Sequence, residues 1–172
     1  MSLDAGLLML RVLMGVLFIG HGTQKLFGWF GGHGPDGTAA WLESQGIRPA
    51  RFWAIVAGLG EAVGGLLFAL GLFGPIGGLL ISATMFVAIA KVHAPNGLWT
   101  QQNGYEYPLV VMVVALFVAG VGPGAYSLDR LLRISLPEPE TFWVGLVVVL
   151  LVAGAVLVLP SPPPLSKASA AH

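Results

Sequence analysis

LLMLRVLMGVLFIGHGTQKLFGWF, residues 7–30, is the stretch whose reading decides the fold. It is longer than the ~20 apolar residues a helix needs to cross a bilayer, yet it carries Arg11, His21, Gln24 and Lys25. On a helix, residues two heptads apart drift by only about 40° around the axis. Arg11, Phe18 and Lys25 therefore share one line, flanked by Met14 and His21, while the other faces are almost wholly aliphatic. Charge held within lipid is costly and marks a functional site or a buried ion pair. What stands opposite this face is therefore the central question.

The rest of the composition agrees with a membrane chain. Its 172 residues are 56% hydrophobic and 9% charged, with a mean hydropathy of +0.84; soluble domains run near ~25% charged. Formal charge is zero and no basic cluster exists, which removes the electrostatic footprint of a nucleic-acid binder. The absence of cysteine excludes a disulfide framework, a dithiol redox pair and a thiolate-held cluster. His21 and His93 lack a third ligand at recognisable spacing, so no metal site is expected. No basic segment precedes Leu7 and the apolar run is too long for a signal-peptide core, so the first span is expected to be retained.

Five segments are expected to span: residues 3–27, 53–73, 76–92, 107–121 and 142–159. Ser2 or Asp4 can cap the first by accepting from free backbone N–H groups. Gly74-Pro75 makes a tight turn between the second and third, GPG at 122–124 closes the fourth, and PSPPP follows the fifth. Between the first two spans, Asp36 or Thr38 could cap a short helix that stops at Gly46. Trp29, Trp41, Phe52 and Trp53 suit the headgroup region. The loop 94–106 is polar, and the Pro/Ser/Ala tail 161–172 is expected to be disordered. The domain division is thus a four-helix membrane unit over 1–135, an additional helix over 136–160, and the tail.

Let end A hold the N-terminus of the first span and end B its C-terminus. Depth along the normal, at about 1.5 Å per residue, then sorts the polar residues into two groups. Lys25, His21, Lys91, His93 and Glu106 fall in the B half, with Glu61 near mid-depth of the second span. Two lysines and two glutamates cancel, as a low-dielectric site requires. Lys91 and His93 lie close enough to the surface to be interfacial anchors, whereas Glu61 reaches neither surface and must be paired, protonated or facing water. At end A, Arg11 and Asp129 suggest a structural ion pair, with Arg11 snorkelling to the interface as the alternative. Ala57, Glu61, Gly65 and Ala69 form one i, i+4 row, so Glu61 projects from a thin stripe that allows close helix approach. The Lys/Arg count favours end B as cytoplasmic until Lys25 and Lys91 are assigned to a site, when the two ends tie.

RVLMGVLFIGHGTQKLFG (11–28), GLGEAVGGLLFALGLF (58–73), NGYEYPLV (103–110) and GPGAYSLDRLL (122–132) resemble the DoxX/DoxD-like membrane proteins in order and spacing over roughly 7–132. The resemblance implies a four-helix membrane core of bacteria and archaea. Some members are similar to subunits of thiosulfate:quinone oxidoreductase, and others are associated with thiol-oxidative stress or quinone detoxification. Carried over by position, the pattern touches Arg11, His21, Gly22, Lys25, Glu61, Gly65, Gly71, Glu106, Gly122, Gly124, Ser127, Asp129 and Arg130.

The expected fold is therefore an all-α polytopic bundle in a prokaryotic inner membrane. The expected function is a membrane subunit of a quinone-linked oxidoreductase or redox-stress system. Its site would be a pocket of His21, Lys25, Glu61, Lys91 and Glu106 taking a quinone or an anion, its apolar wall made by Met14, Phe18 and Met85. His21, Lys25 and Glu61 are the catalytic candidates, since histidine titrates near neutrality. The expected partners are the lipid bilayer, a soluble or membrane oxidoreductase that supplies the electron chemistry, and a second copy of the chain. Small-anion or proton transport and a scaffold for a soluble enzyme are the alternatives.

Overall fold

A computed structural model describes residues 2–158, and within them the chain is an all-helical membrane bundle. Helix α1, Leu3–Phe27, starts where the Ser2 hydroxyl accepts from the Ala5 N–H, 3.3 Å away. It ends at Gly28, whose φ of 71° is left-handed, a conformation open to glycine at little steric cost. A short helix α2, Gly34–Ser44, follows. It begins ahead of Asp36 and Thr38 with no side-chain cap; Pro35 in its first turn supplies the preset φ instead. Gly46, at φ 79°, ends the segment as expected.

Helix α3, Ala50–Leu70, begins three residues before the expected span and stops at Gly71. After the turn at Gly74-Pro75, α4 covers Ile76–Ala88 and continues as a π-helical turn through Ile89–His93. Helix α5, Glu106–Val121, is followed by the one-turn α6, Leu128–Leu132, and by α7, Glu140–Val158. Four segments are long and apolar enough to cross a membrane: Leu3–Phe27, Ala50–Leu70, Ile76–Asn96 and Glu140–Val158. Helix α5 has 16 residues, so it extends about 24 Å and is shorter than the hydrocarbon core. The tail expected to be disordered lies outside the described residues.

Helix α1 packs mainly on α3, α3 on α4, α4 on α5 and α7, and α2 covers the B end of α1 and α3. Leu7, Phe18, Phe68, Ile81, Met85, Val111, Ala115 and Val118 form the central core. Aliphatic side chains such as Val12, Leu13, Val16, Leu59, Val63, Leu66 and Val147 are exposed around it. That is the pattern of a bundle whose solvent is lipid: apolar residues occupy both inside and outside, and packing must come from close backbone approach.

Candidate functional site

The site begins with how closely α1 and α3 approach. A Cβ placed on Gly22 would lie 2.4 Å from the Ala62 nitrogen and 2.6 Å from the Gly58 oxygen. One placed on Gly15 would lie 2.5 Å from the Gly65 oxygen. The helices therefore meet backbone to backbone, and a side chain at either glycine would separate them. At this distance the Lys25 stem lies beside Gly58, and its Nζ donates to Glu61 Oε2 in a salt bridge. The Glu61 side chain is 7% exposed and that of Lys25 is 26% exposed. The carboxylate is thus enclosed, and the lysine side chain is about a quarter exposed.

His21 lies one turn before Lys25 and is half-buried. Its Nδ1 meets Gln24 Oε1 at 3.2 Å; an amide oxygen only accepts, so Nδ1 carries the proton. The Gln24 amide in turn donates to the Phe30 carbonyl at 3.3 Å, and the Phe18 ring stands edge-on to the imidazole, centroids 5.9 Å apart. These contacts fix the orientation of the ring. Gln24 was named among the polar residues of the first span but given no role there, although its i, i+3 spacing from His21 was a readable signal.

The structure does not bring Lys91 and Glu106 to this pair. Lys91 Nζ donates to the Leu157 carbonyl of α7 at 3.1 Å. Glu106 Oε2 accepts from the Thr100 N–H at 3.0 Å and its hydroxyl at 2.9 Å, closing the 94–106 loop on itself. His93 Nδ1 lies 2.8 Å from the Asn103 carbonyl in the same loop. The five-residue pocket expected from depth thus resolves into one ion pair with a histidine beside it, plus separate structural contacts. Phe18 and Met85 are buried in the central core with Met14 packed against it, so they fill space instead of walling a chamber.

At end A, Arg11 and Asp129 make no direct ion pair within 4.0 Å. Arg11 is 1% exposed and donates to the Tyr126 carbonyl and, at 3.4 Å, to the Ala69 carbonyl. Asp129 accepts from the Phe73 and Gly74 N–H groups at 2.8 and 2.6 Å. Each charge is met by backbone groups freed at chain reversals, and the two sit in the same corner. Gly71 creates room for this: a Cβ there would lie 2.0 Å from Arg11 Nη1, and φ is 62°. Asp4 adds a further tie, its Oδ1 accepting from the Ala125 N–H at 2.8 Å.

The DoxX family model matches residues 6–94, which include most of α1, the Lys25–Glu61 pair and the turn into the 94–106 loop. The chain belongs to the DoxX family. Among curated relatives, CatD of Bacillus subtilis (strain 168), whose name carries a provisional oxidoreductase label, is 30% identical over 74% of this chain and 87% of its own. The inner membrane protein YqjF of Escherichia coli (strain K12) is 30% identical over 76% of this chain and 94% of its own. The inner membrane protein YphA of the same organism is 30% identical over 72% and 88%. No solved structure matches.

For this DoxX protein the bilayer is thus the working environment, and its cavities must be read against it. One cavity of about 650 Å³ lies at end A, lined by Gly74, Ser127, Asp129, Arg130, Arg133 and Glu138 among others. An apolar groove of about 470 Å³ runs between α4 and α7. Lys25 and Glu61 line neither.

Proposed function

We propose that this DoxX protein is a multi-pass subunit of a bacterial inner membrane, serving a quinone-linked oxidoreductase or redox-stress system, and that the Lys25–Glu61 pair with His21 receives the quinone headgroup. The observation that carries this reading is a lysine–glutamate pair held between two apolar helices, the glutamate side chain enclosed and the lysine side chain partly exposed. A structural ion pair at this depth has no need of an exposed member, whereas a headgroup carbonyl approaching from lipid needs a donor it can reach. Lys25 Nζ supplies that donor. His21 and Glu61 are the groups on which protons can be held. The quinone supplies the two-electron chemistry when bound, and the electrons come from a partner enzyme, since this chain has no cysteine for a thiol or cluster relay.

The provisional oxidoreductase label of CatD supports the same class of chemistry. The anion-transport alternative depended on two lysines at one mouth, and Lys91 is engaged with α7. The test is extraction and chromatographic quantification of quinone from protein purified in mild detergent. The expected result is quinone retained by the wild-type chain and depleted in Lys25→Met. Equal content in both, at the level of a control membrane protein, would refute the assignment.

A further inference from the structure

The end-A cavity has chemistry of its own, independent of the Lys25–Glu61 reading. Arg130 and Arg133 line it, and both are exposed. Among the described residues their guanidinium groups enter no ion pair; the three salt bridges are Lys25–Glu61, Arg48–Glu43 and Arg51–Asp36. Asp129 on the same wall is committed to the Phe73 and Gly74 amides. Glu138 also lines the cavity, with Oε1 3.3 Å from where a Gly74 Cβ would stand, and it too has no cationic partner among the described residues. Two uncommitted cations and one uncommitted carboxylate therefore face a single space.

A simple anion would satisfy the arginines and be repelled by Glu138. A group carrying both a phosphate and an ammonium satisfies all three, because guanidinium forks match phosphate oxygens and an ammonium donates to a carboxylate. What adjoins the cavity decides the source of that group. Leu136 and Glu138 of its lining are neighbours in sequence of Pro137 and Glu140, which line the apolar groove between α4 and α7 together with Ile76, Leu79 and Val148. Beside it, α6 exposes Leu131 and Leu132, as an interfacial segment does. A polar chamber beside an apolar groove has the two-part form of a phospholipid.

We propose that this cavity binds a zwitterionic phospholipid of the phosphoethanolamine type, with phosphate on Arg130 and Arg133, ammonium toward Glu138, and an acyl chain between α4 and α7. The test is native mass spectrometry of the full-length protein exchanged into micelles with equimolar phosphatidylethanolamine, phosphatidylcholine and phosphatidylglycerol, with soluble phosphoethanolamine as a separate arm. Wild-type protein is expected to retain phosphatidylethanolamine over phosphatidylcholine, whose quaternary ammonium cannot donate to Glu138. The double variant Arg130→Gln/Arg133→Gln is expected to lose about tenfold in retention, as removal of charge-assisted hydrogen bonds implies. Glu138→Gln is expected to bind phosphatidylglycerol as well as phosphatidylethanolamine. All three positions are exposed, and circular dichroism melts check that the variants remain folded. Equal retention of the three lipids by wild-type protein, or unchanged retention in the double variant, overturns the site. Soluble phosphoethanolamine binding as tightly as the lipid overturns the acyl-chain assignment.

Discussion

Glu61 and Lys25 form a pair whose two members have unequal alternatives. With its side chain 7% exposed, Glu61 has no route to water when its partner is removed. Lys25 is partly exposed and has a flexible stem that can carry its ammonium toward the interface. Lys25→Met is therefore expected to cost about 3–5 kcal/mol, the usual effect of stranding a buried charge. Glu61→Gln is expected to cost about 1 kcal/mol. Thermal melts in one detergent check the order, and equal losses would mean that both groups are equally enclosed. The pair was legible in the sequence because depth along a helix is nearly fixed by residue number. Arg11 was half legible: its end of the bundle followed from depth, but the Tyr126 and Ala69 carbonyls that receive it depend on how loops fold. The contact of Glu106 with Thr100 was not legible for a similar reason, as it is set by the loop before it.

Among the elements, the α1–α3 contact does most to position the site, and glycine makes it. Gly22→Ala is expected to cost about 1–3 kcal/mol by overpacking, since the new methyl would meet Ala62 and Gly58 backbone 2.4–2.6 Å away. It should also loosen Lys25 from Glu61 and so reduce quinone retention. Gly20 is the internal control: no atom lies within 4 Å of its would-be Cβ, so Gly20→Ala is expected to be neutral or to stabilise by up to about 1 kcal/mol. Melting temperatures of the two single variants decide this, and equal losses would show that helix contact is not the cause. Gly71→Ala should destabilise as well, because its methyl would collide with Arg11 Nη1. The small-residue stripe on α3 was readable from spacing. Which α1 glycines it meets was not, because register between helices is set by tertiary packing.

For the whole molecule, the outer helix and the site are separable. Helix α7 packs chiefly on α4, and Lys91 reaches it at Leu157, while the Lys25–Glu61 pair lies between α1 and α3. A chain ending after Ser135 is expected to insert and purify with a melting temperature lowered by a few degrees and with unchanged quinone retention. Loss of retention on truncation would mean that α7 contributes to the site. The five apolar segments were legible from hydropathy. The shortness of α5 was readable from residue count, whereas the contact of Lys91 with α7 emerged only from the packing. The central claim is the use made of Lys25 and Glu61, and the most direct measurement is the affinity of a short-chain quinone for the purified full-length protein, compared with Glu61→Gln and Lys25→Met. The expected result is saturable binding in the wild-type chain, weakened in Glu61→Gln and abolished in Lys25→Met, with both variants folded. Binding of equal affinity in all three would contradict it.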